Sequence, residues 1–344
     1  MASSSAVENS AHTGTGLDFA RQRPSTSLGE ARVSTSPDRA ATVAAAAQSI
    51  AKGSKSFAFA SQLFEQTTRE RAWLLYSWCR RCDDLADGQD HGGARQVVVD
   101  PQARLGTIRF LTDAALDGQA TGDAAFDALG IVARECMIPR RFIDDHIAGF
   151  ALDADDWSPR HESDLLRYCY HVAGVVGCMM AVVMGVDPAD DDTLDRACDL
   201  GLAFQLANIA RDISEDDAVG RCYLPMDWLV EADIPPGEHM RPHYRSRLAD
   251  MAWWLANMVG DYEASARVGA AKLPFRSRWA VLAAAGIYGD IARKVDSRDH
   301  RAWDERVVTT KAEKAAWVAR AFGQATVNRP KPFPRFGLWD RPRG

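Results

Sequence analysis

Two pairs of aspartates stand at helical i,i+4 spacing in this chain of 344 residues: Asp83 and Asp87 within DDLAD, and Asp212 and Asp216 within DISED. On a helix each pair projects from one face, where like charges repel at a cost of about 0.2–0.5 kcal/mol. The arrangement recurs about 130 residues further on, which implies a multivalent cation that offsets the repulsion. Carboxylate oxygens suit Mg²⁺, with Mn²⁺ as a substitute.

The flanking residues extend both pairs into polar stripes. In LGLAFQLANIARDI, from Leu200 to Ile213, the residues Gln205, Asn208, Asp212 and Asp216 follow at steps of three and four. At about 100° per residue these side chains fall within an arc of roughly 80°. Burying unpaired amides and carboxylates costs several kcal/mol, so the stripe must face a wet cavity or a polar partner. Asn208 joins the acids as a further oxygen ligand for metal. Tyr76, Arg80, Asp83 and Asp87 form the matching upstream stripe in LLYSWCRRCDDLAD. Arg80 and Arg211, each just ahead of an acidic motif, add cationic charge. Carboxylates, Mg²⁺ and arginines together suit a diphosphate. The acids at Asp144 and Asp145, Asp153 to Asp156 and Asp190 to Asp192 lack such context and read as surface.

Helices must carry these stripes. Alanine and leucine abound, β-branched alternation is scarce, and Pro139, Pro159, Pro188, Pro225, Pro235 and Pro236 fall between apolar-periodic segments. The reading is an all-α single domain over 43–323. Val172 to Val186 is an uncharged apolar run of about 15 residues, short of the 18 or more expected of a spanning helix. It reads as a buried core helix, with Gly174 and Gly177 permitting close approach of its neighbours. Residues 1–42, rich in Ala, Ser and Thr, read as a disordered extension. Residues 324–344, basic and Pro-rich, read as a flexible tail.

Composition sets limits. With 47% hydrophobic residues the chain can bury a large core. Its net charge of −6 and lack of a basic stripe argue against a nucleic-acid partner. Seven cysteines, an odd number without a secretory signal, point to the reducing cytoplasm. Cys79 and Cys82 have CxxC spacing, but no second cluster completes a zinc site.

Five segments in order resemble the squalene/phytoene synthase family of head-to-head prenyl transferases, most closely its bacterial phytoene synthase branch. They are GSKSF from Gly53, CRRCDDLAD from Cys79, YCYHVAGVVG from Tyr168, QLANIARDISED from Gln205 and RCYLP from Arg221. The resemblance spans roughly Ala45 to Ala321. It implies an isoprenoid synthase fold with a central cavity, and condensation of two geranylgeranyl diphosphates through prephytoene diphosphate to phytoene, the first committed step of carotenoid biosynthesis. It further implies Mg²⁺ on Asp83, Asp87, Asp212 and Asp216, and diphosphate contacts from Arg80, Arg211 and Lys55 with Ser54 and Ser56 as donors. Arg306 matches a family arginine that approaches a diphosphate. Tyr168 is placed beside the reacting carbons on the face of Val172, Val175 and Met179. Phe57 and Tyr288 are cavity aromatics able to stabilise cations.

No NADPH is expected, although an NADPH-using branch would need no Rossmann fingerprint. The alternatives are squalene or dehydrosqualene synthesis from farnesyl diphosphate, and a non-catalytic relative, which should have eroded its acidic motifs. An amphiphilic substrate and a hydrocarbon product imply a cytoplasmic enzyme in peripheral contact with the membrane and with other carotenoid enzymes as neighbours. In the tail, Arg329, Lys331, Arg335, Arg341 and Arg343 stand against Asp340, with Phe333, Phe336 and Trp339 between them. This is the expected membrane contact.

Overall fold

The computed structural model describes residues 37–88, 100–155 and 157–343, and among them there is helix but no strand. Local chemistry starts and stops the helices where the breakers fall. α1 (Arg39–Gly53) is opened by the Asp38 carboxylate, which accepts from the Ala40 N–H. Ser54 ends α1 and caps α2 (Lys55–Ser61) by accepting from the Phe57 N–H at 3.3 Å. α3 (Gln66–Asp87) carries the first acidic pair in its last two turns and stops at Gly88, whose φ of 64° is left-handed. Residues 39–42, expected within the disordered extension, are instead the first turn of α1, and residues 1–36 lie outside the described residues.

α4 (Pro101–Leu116), α5 (Ala124–Cys136) and α6 (Arg140–Ala154) pack beside α3. α7 (Glu162–Cys169) continues through a π turn at Tyr170–Gly174 into α8 (Val175–Val183). Together they make 22 helical residues, within which an 18-residue stretch has a mean hydropathy of 1.5, longer than the apolar run suggests and long enough to cross a membrane. The helix is instead an interior one, 61% buried, and it packs on α6 and on α9 (Asp191–Asp217). Contact with α9 is backbone-close: a Cβ on Gly177 would lie 2.3 Å from the Ala197 carbonyl oxygen, and one on Gly201 would lie 2.2 Å from that of Ala173. α10 (Met226–Glu231) is short; α11 (Arg245–Ala270), α12 (Phe275–Arg298) and α13 (Lys311–Val327) complete the bundle around α9. Trp78, Phe126, Phe142, Leu129, Met179 and Leu194 fill its centre.

Residues 328–343 are not the flexible tail expected. The Arg335 guanidinium, 13% exposed, meets Asp199 at 2.8 Å and Asp195 at 3.3 Å. Arg341 is fully buried against Asp191 and Asp195, and Arg343 reaches Asp195 at 2.7 Å. Trp339 packs on Tyr170, and its N–H donates to the Tyr262 hydroxyl. The cause is an acidic row, Asp191, Asp195 and Asp199, on the side of α9 away from the cavity-lining residues. Three of the five tail bases are paired there, Arg335 and Arg341 out of reach of lipid; Arg329, Lys331 and Phe336 stay exposed.

Candidate active site

A cavity of about 660 Å³ runs through the bundle. One wall is α9, which presents Thr193, Arg196, Ala197, Leu200, Gly201, Phe204, Gln205, Asn208 and Arg211 at helical spacing. The run from Thr193 to Arg211 covers about 27 Å at 1.5 Å per residue. Its Arg211 end is polar, shared with Asp83, Arg80, Tyr76, Ser54 and Arg306. The remainder is lined mostly by apolar side chains, among them Phe64, Val176, Met180, Met184, Leu273 and Ala280, with Thr193 and Arg196 at its far end. A site of this shape takes a molecule with an anionic head and a long hydrocarbon body.

At the polar end arginines stand against the carboxylates. Arg80 lies 3.9 Å from Asp83 but binds Asp84 closely, donating from Nη2 at 2.6 Å and Nε at 3.0 Å. Asp212 accepts from both Arg211 and Arg306, the latter at 2.7 Å. Asp87 meets Arg221 at 3.4 Å, and Asp216 closes the last turn of α9. The Asp83 side chain is 44% exposed and opens into the cavity; partial desolvation pushes its carboxyl up to about 7, with Arg80 opposing and Asp87 reinforcing the shift. Among the described residues no three acidic, imidazole or thiol groups stand close enough to hold an ion without rearrangement. The donor set is nonetheless hard oxygen throughout, four carboxylates and the Asn208 amide, which is the chemistry a Mg²⁺ ion takes.

Phe57, Tyr76, Phe204 and Tyr288 form an aromatic collar just inside the polar end. Phe204 stacks on Tyr288 at 4.1 Å between centroids, and Phe57 lies 5.8 Å from Tyr288 and 6.3 Å from Tyr76. Burial pushes both tyrosine hydroxyls up to about 12, so their rings face the cavity uncharged. His146 completes the wall. Its Nδ1 meets the His171 carbonyl oxygen at 3.0 Å and so carries the proton, and burial lowers the imidazole to about 4 and keeps it neutral.

Ser54, Phe57, Arg80, Asp83, Gln205, Asn208, Arg211, Tyr288 and Arg306 thus meet on one cavity, as the spacing and the resemblance led one to expect. Lys55 does not: it opens α2 and its side chain is exposed. The Ser56 side chain lies outside the described residues. Tyr168 is also off the wall, because the π turn inserts a residue between it and Val172 and rotates the two faces apart. Val172 lines the cavity as expected, but Val175 and Met179 are buried in the core and Val176 and Met180 line the cavity in their place.

Tyr168 is held between the rings of Trp157 and Tyr223, at 5.4 and 5.0 Å, and donates to Asp153 at 3.1 Å. Tyr223 donates to the same carboxylate at 3.4 Å. Asp153 is therefore no surface acid. Burial raises its carboxyl, with Arg221 and the Tyr168 hydroxyl opposing. Arg221 ties this cluster to Asp87. Tyr76 is part of the upstream polar stripe read in the sequence, whereas Phe204 and Arg221 lay within recognised segments but carried no assigned role; Asp153 had no local signal at all.

A helical bundle with two acidic pairs and their arginines at one end of a deep apolar cavity defines the all-α isoprenoid synthases. The particular family follows from comparison: the squalene/phytoene synthase family matches residues 50–313, and the chain belongs to it. It is 46% identical over 302 residues to a phytoene synthase of Pseudescherichia vulneris, covering 86% of this chain and 97% of that one. A 15-cis-phytoene synthase of Pantoea ananas is 44% identical over 301 residues, covering 86% and 97%. Among solved structures, a dehydrosqualene synthase superposes with a TM-score of 0.75 at 25% identity, covering 84% of this chain and 98% of its own. A squalene synthase from Alicyclobacillus acidocaldarius has the same fold, with a TM-score of 0.68 at 20% identity, covering 76% and 95%.

Proposed function

We propose that this chain is a prenyltransferase that joins two geranylgeranyl diphosphates head to head, through prephytoene diphosphate, to phytoene. The observation that carries the reading is the polarity of the cavity, acidic and arginine-rich at one end and largely apolar along the rest. Identities of 43–46% to proteins named phytoene synthase, against 25% to the dehydrosqualene synthase, favour the longer substrate.

In this reading Asp83, Asp87, Asp212, Asp216 and Asn208 hold Mg²⁺, which would neutralise charge on the departing diphosphate. Arg80, Arg211 and Arg306 turn from their carboxylates to the diphosphate oxygens, a natural exchange because both partners are anionic oxygen pairs. The allylic cation left behind is attacked by the double bond of the second chain. Phe57, Phe204 and Tyr288 face that cation with π-electrons, and the apolar wall excludes water that would otherwise capture it. The cyclopropyl diphosphate ionises in turn, rearranges and loses a proton. No hydride donor is needed for that ending.

Tyr168 acts in this scheme through Asp153, Arg221 and Asp87 as a positioning residue. Tyr168→Phe removes one donor to Asp153 while leaving the ring stack, so substrate binding should persist. Phytoene output should fall, with prephytoene diphosphate or alcohols appearing in its place. An unaltered product profile would dismiss the role.

The reading as a whole is tested by incubating purified protein with Mg²⁺ and either geranylgeranyl or farnesyl diphosphate and identifying the hydrocarbon. Phytoene from the first substrate is expected; a thirty-carbon product formed faster from the second would reassign the chain to dehydrosqualene synthesis. Peripheral association with an anionic bilayer belongs to the same proposal, supported by the hydrophobic product. Co-sedimentation with anionic liposomes at low salt is expected, and protein left wholly in the supernatant would remove it.

A further inference from the structure

The far end of the cavity holds a cation beside Thr193. Arg196 lines it about four turns from Arg211 on the same helix, at the end remote from the acidic pairs. A guanidinium has no business inside a hydrocarbon pocket unless its head is satisfied elsewhere, and here it is. Nε donates to Asp192 at 3.1 Å, and Nη1 donates to the Ser265 hydroxyl and carbonyl and to the Phe333 carbonyl at 3.2 Å. The head thus turns outward while the aliphatic stem crosses the cavity floor.

Two neighbours fix that stem. Gly269 on α11 gives it room: a Cβ there would lie 2.6 Å from the Arg196 Cβ and 3.3 Å from its Cδ. Phe333 belongs to the C-terminal segment, which is itself locked to α9 two residues later by Arg335 on Asp199. Ser265 donates to Asp199 as well, joining both sets of contacts into one network.

Given the function proposed above, we infer that Arg196, braced from outside by residues 333–341, is the stop that ends the prenyl cavity and sets the longest chain it accepts. The segment outside the bundle thereby acts on specificity without touching substrate. Arg196→Ala removes the stem and should open the floor. Gly269→Ala should push the stem inward and shorten the cavity.

The test compares fifteen-, twenty- and twenty-five-carbon prenyl diphosphates as substrates, and their non-ionising thiolodiphosphate analogues as ligands. For Arg196→Ala, the twenty-five to twenty carbon ratio of kcat/KM should rise at least tenfold, and the analogues should follow the same order in Kd. Gly269→Ala should shift preference the opposite way, toward fifteen carbons, and Arg196→Lys, which keeps a stem, should stay near wild type. Analogue binding reports chain length even if the wild-type product is not phytoene, so failure of the functional reading would be seen separately. Length ratios within twofold of wild type in both Arg196→Ala and Gly269→Ala, with folded protein by circular dichroism, would overturn the assignment.

Discussion

Asp212→Asn is expected to lower turnover at least about a hundredfold, a loss near 3 kcal/mol of transition-state stabilisation. Asp212 has two duties that an amide cannot share. As an anion it supplies charge to a cation cluster, and it holds Arg211 and Arg306 poised at the cavity mouth. Asp83→Asn should match it in size, since that carboxylate opens directly into the cavity. Both substitutions are nearly isosteric, so helical content should barely change, and circular dichroism separates a chemical effect from unfolding. Near-normal turnover of either variant with Mg²⁺ present would refute the proposed metal-binding role of these acids.

The second large effect concerns stability. Arg335→Met should cost about 3–5 kcal/mol, because it leaves Asp199, fully buried, without its cation, whereas Asp195 keeps Arg341 and Arg343. For a protein of this size the thermal midpoint should fall by about 4–7 °C. The double change Arg335→Met with Asp199→Leu removes both charges and should recover much of the loss, as a coupled pair requires. Lys331→Ala, at an exposed position, is the control and should do nothing. If Arg335→Met melts with the wild type, the segment is not a clasp.

Legibility followed how local each signal was. The acidic pairs, Gln205, Asn208 and Arg211 were readable because a regular helix converts spacing into a face, and α9 is regular through that stretch. Tyr168 was misplaced for the converse reason: the π turn at Tyr170–Gly174 breaks the very period on which the inference relied. Asp153 could not be found because its partners Tyr168 and Tyr223 are 15 and 70 residues away. The C-terminal segment misled through composition, since prolines and bases do read as mobile when nothing complements them. Its complement was visible all along as Asp191, Asp195 and Asp199 at successive i,i+4 steps, but two elements had to be considered together.

The clasp also has a timetable. Arg335 follows Asp199 by 136 residues, so at roughly 5–20 residues per second a ribosome reaches it some 7–27 s after the aspartate is made. Throughout that interval α9 carries an acidic row with no counter-charge, and α8, α11 and α12 must assemble around it in a provisional state. Nascent chains should therefore be most vulnerable to proteases and aggregation late in translation. Slow codons placed between α13 and the clasp would prolong the danger, whereas raised salt, by screening the row, would shorten its reach.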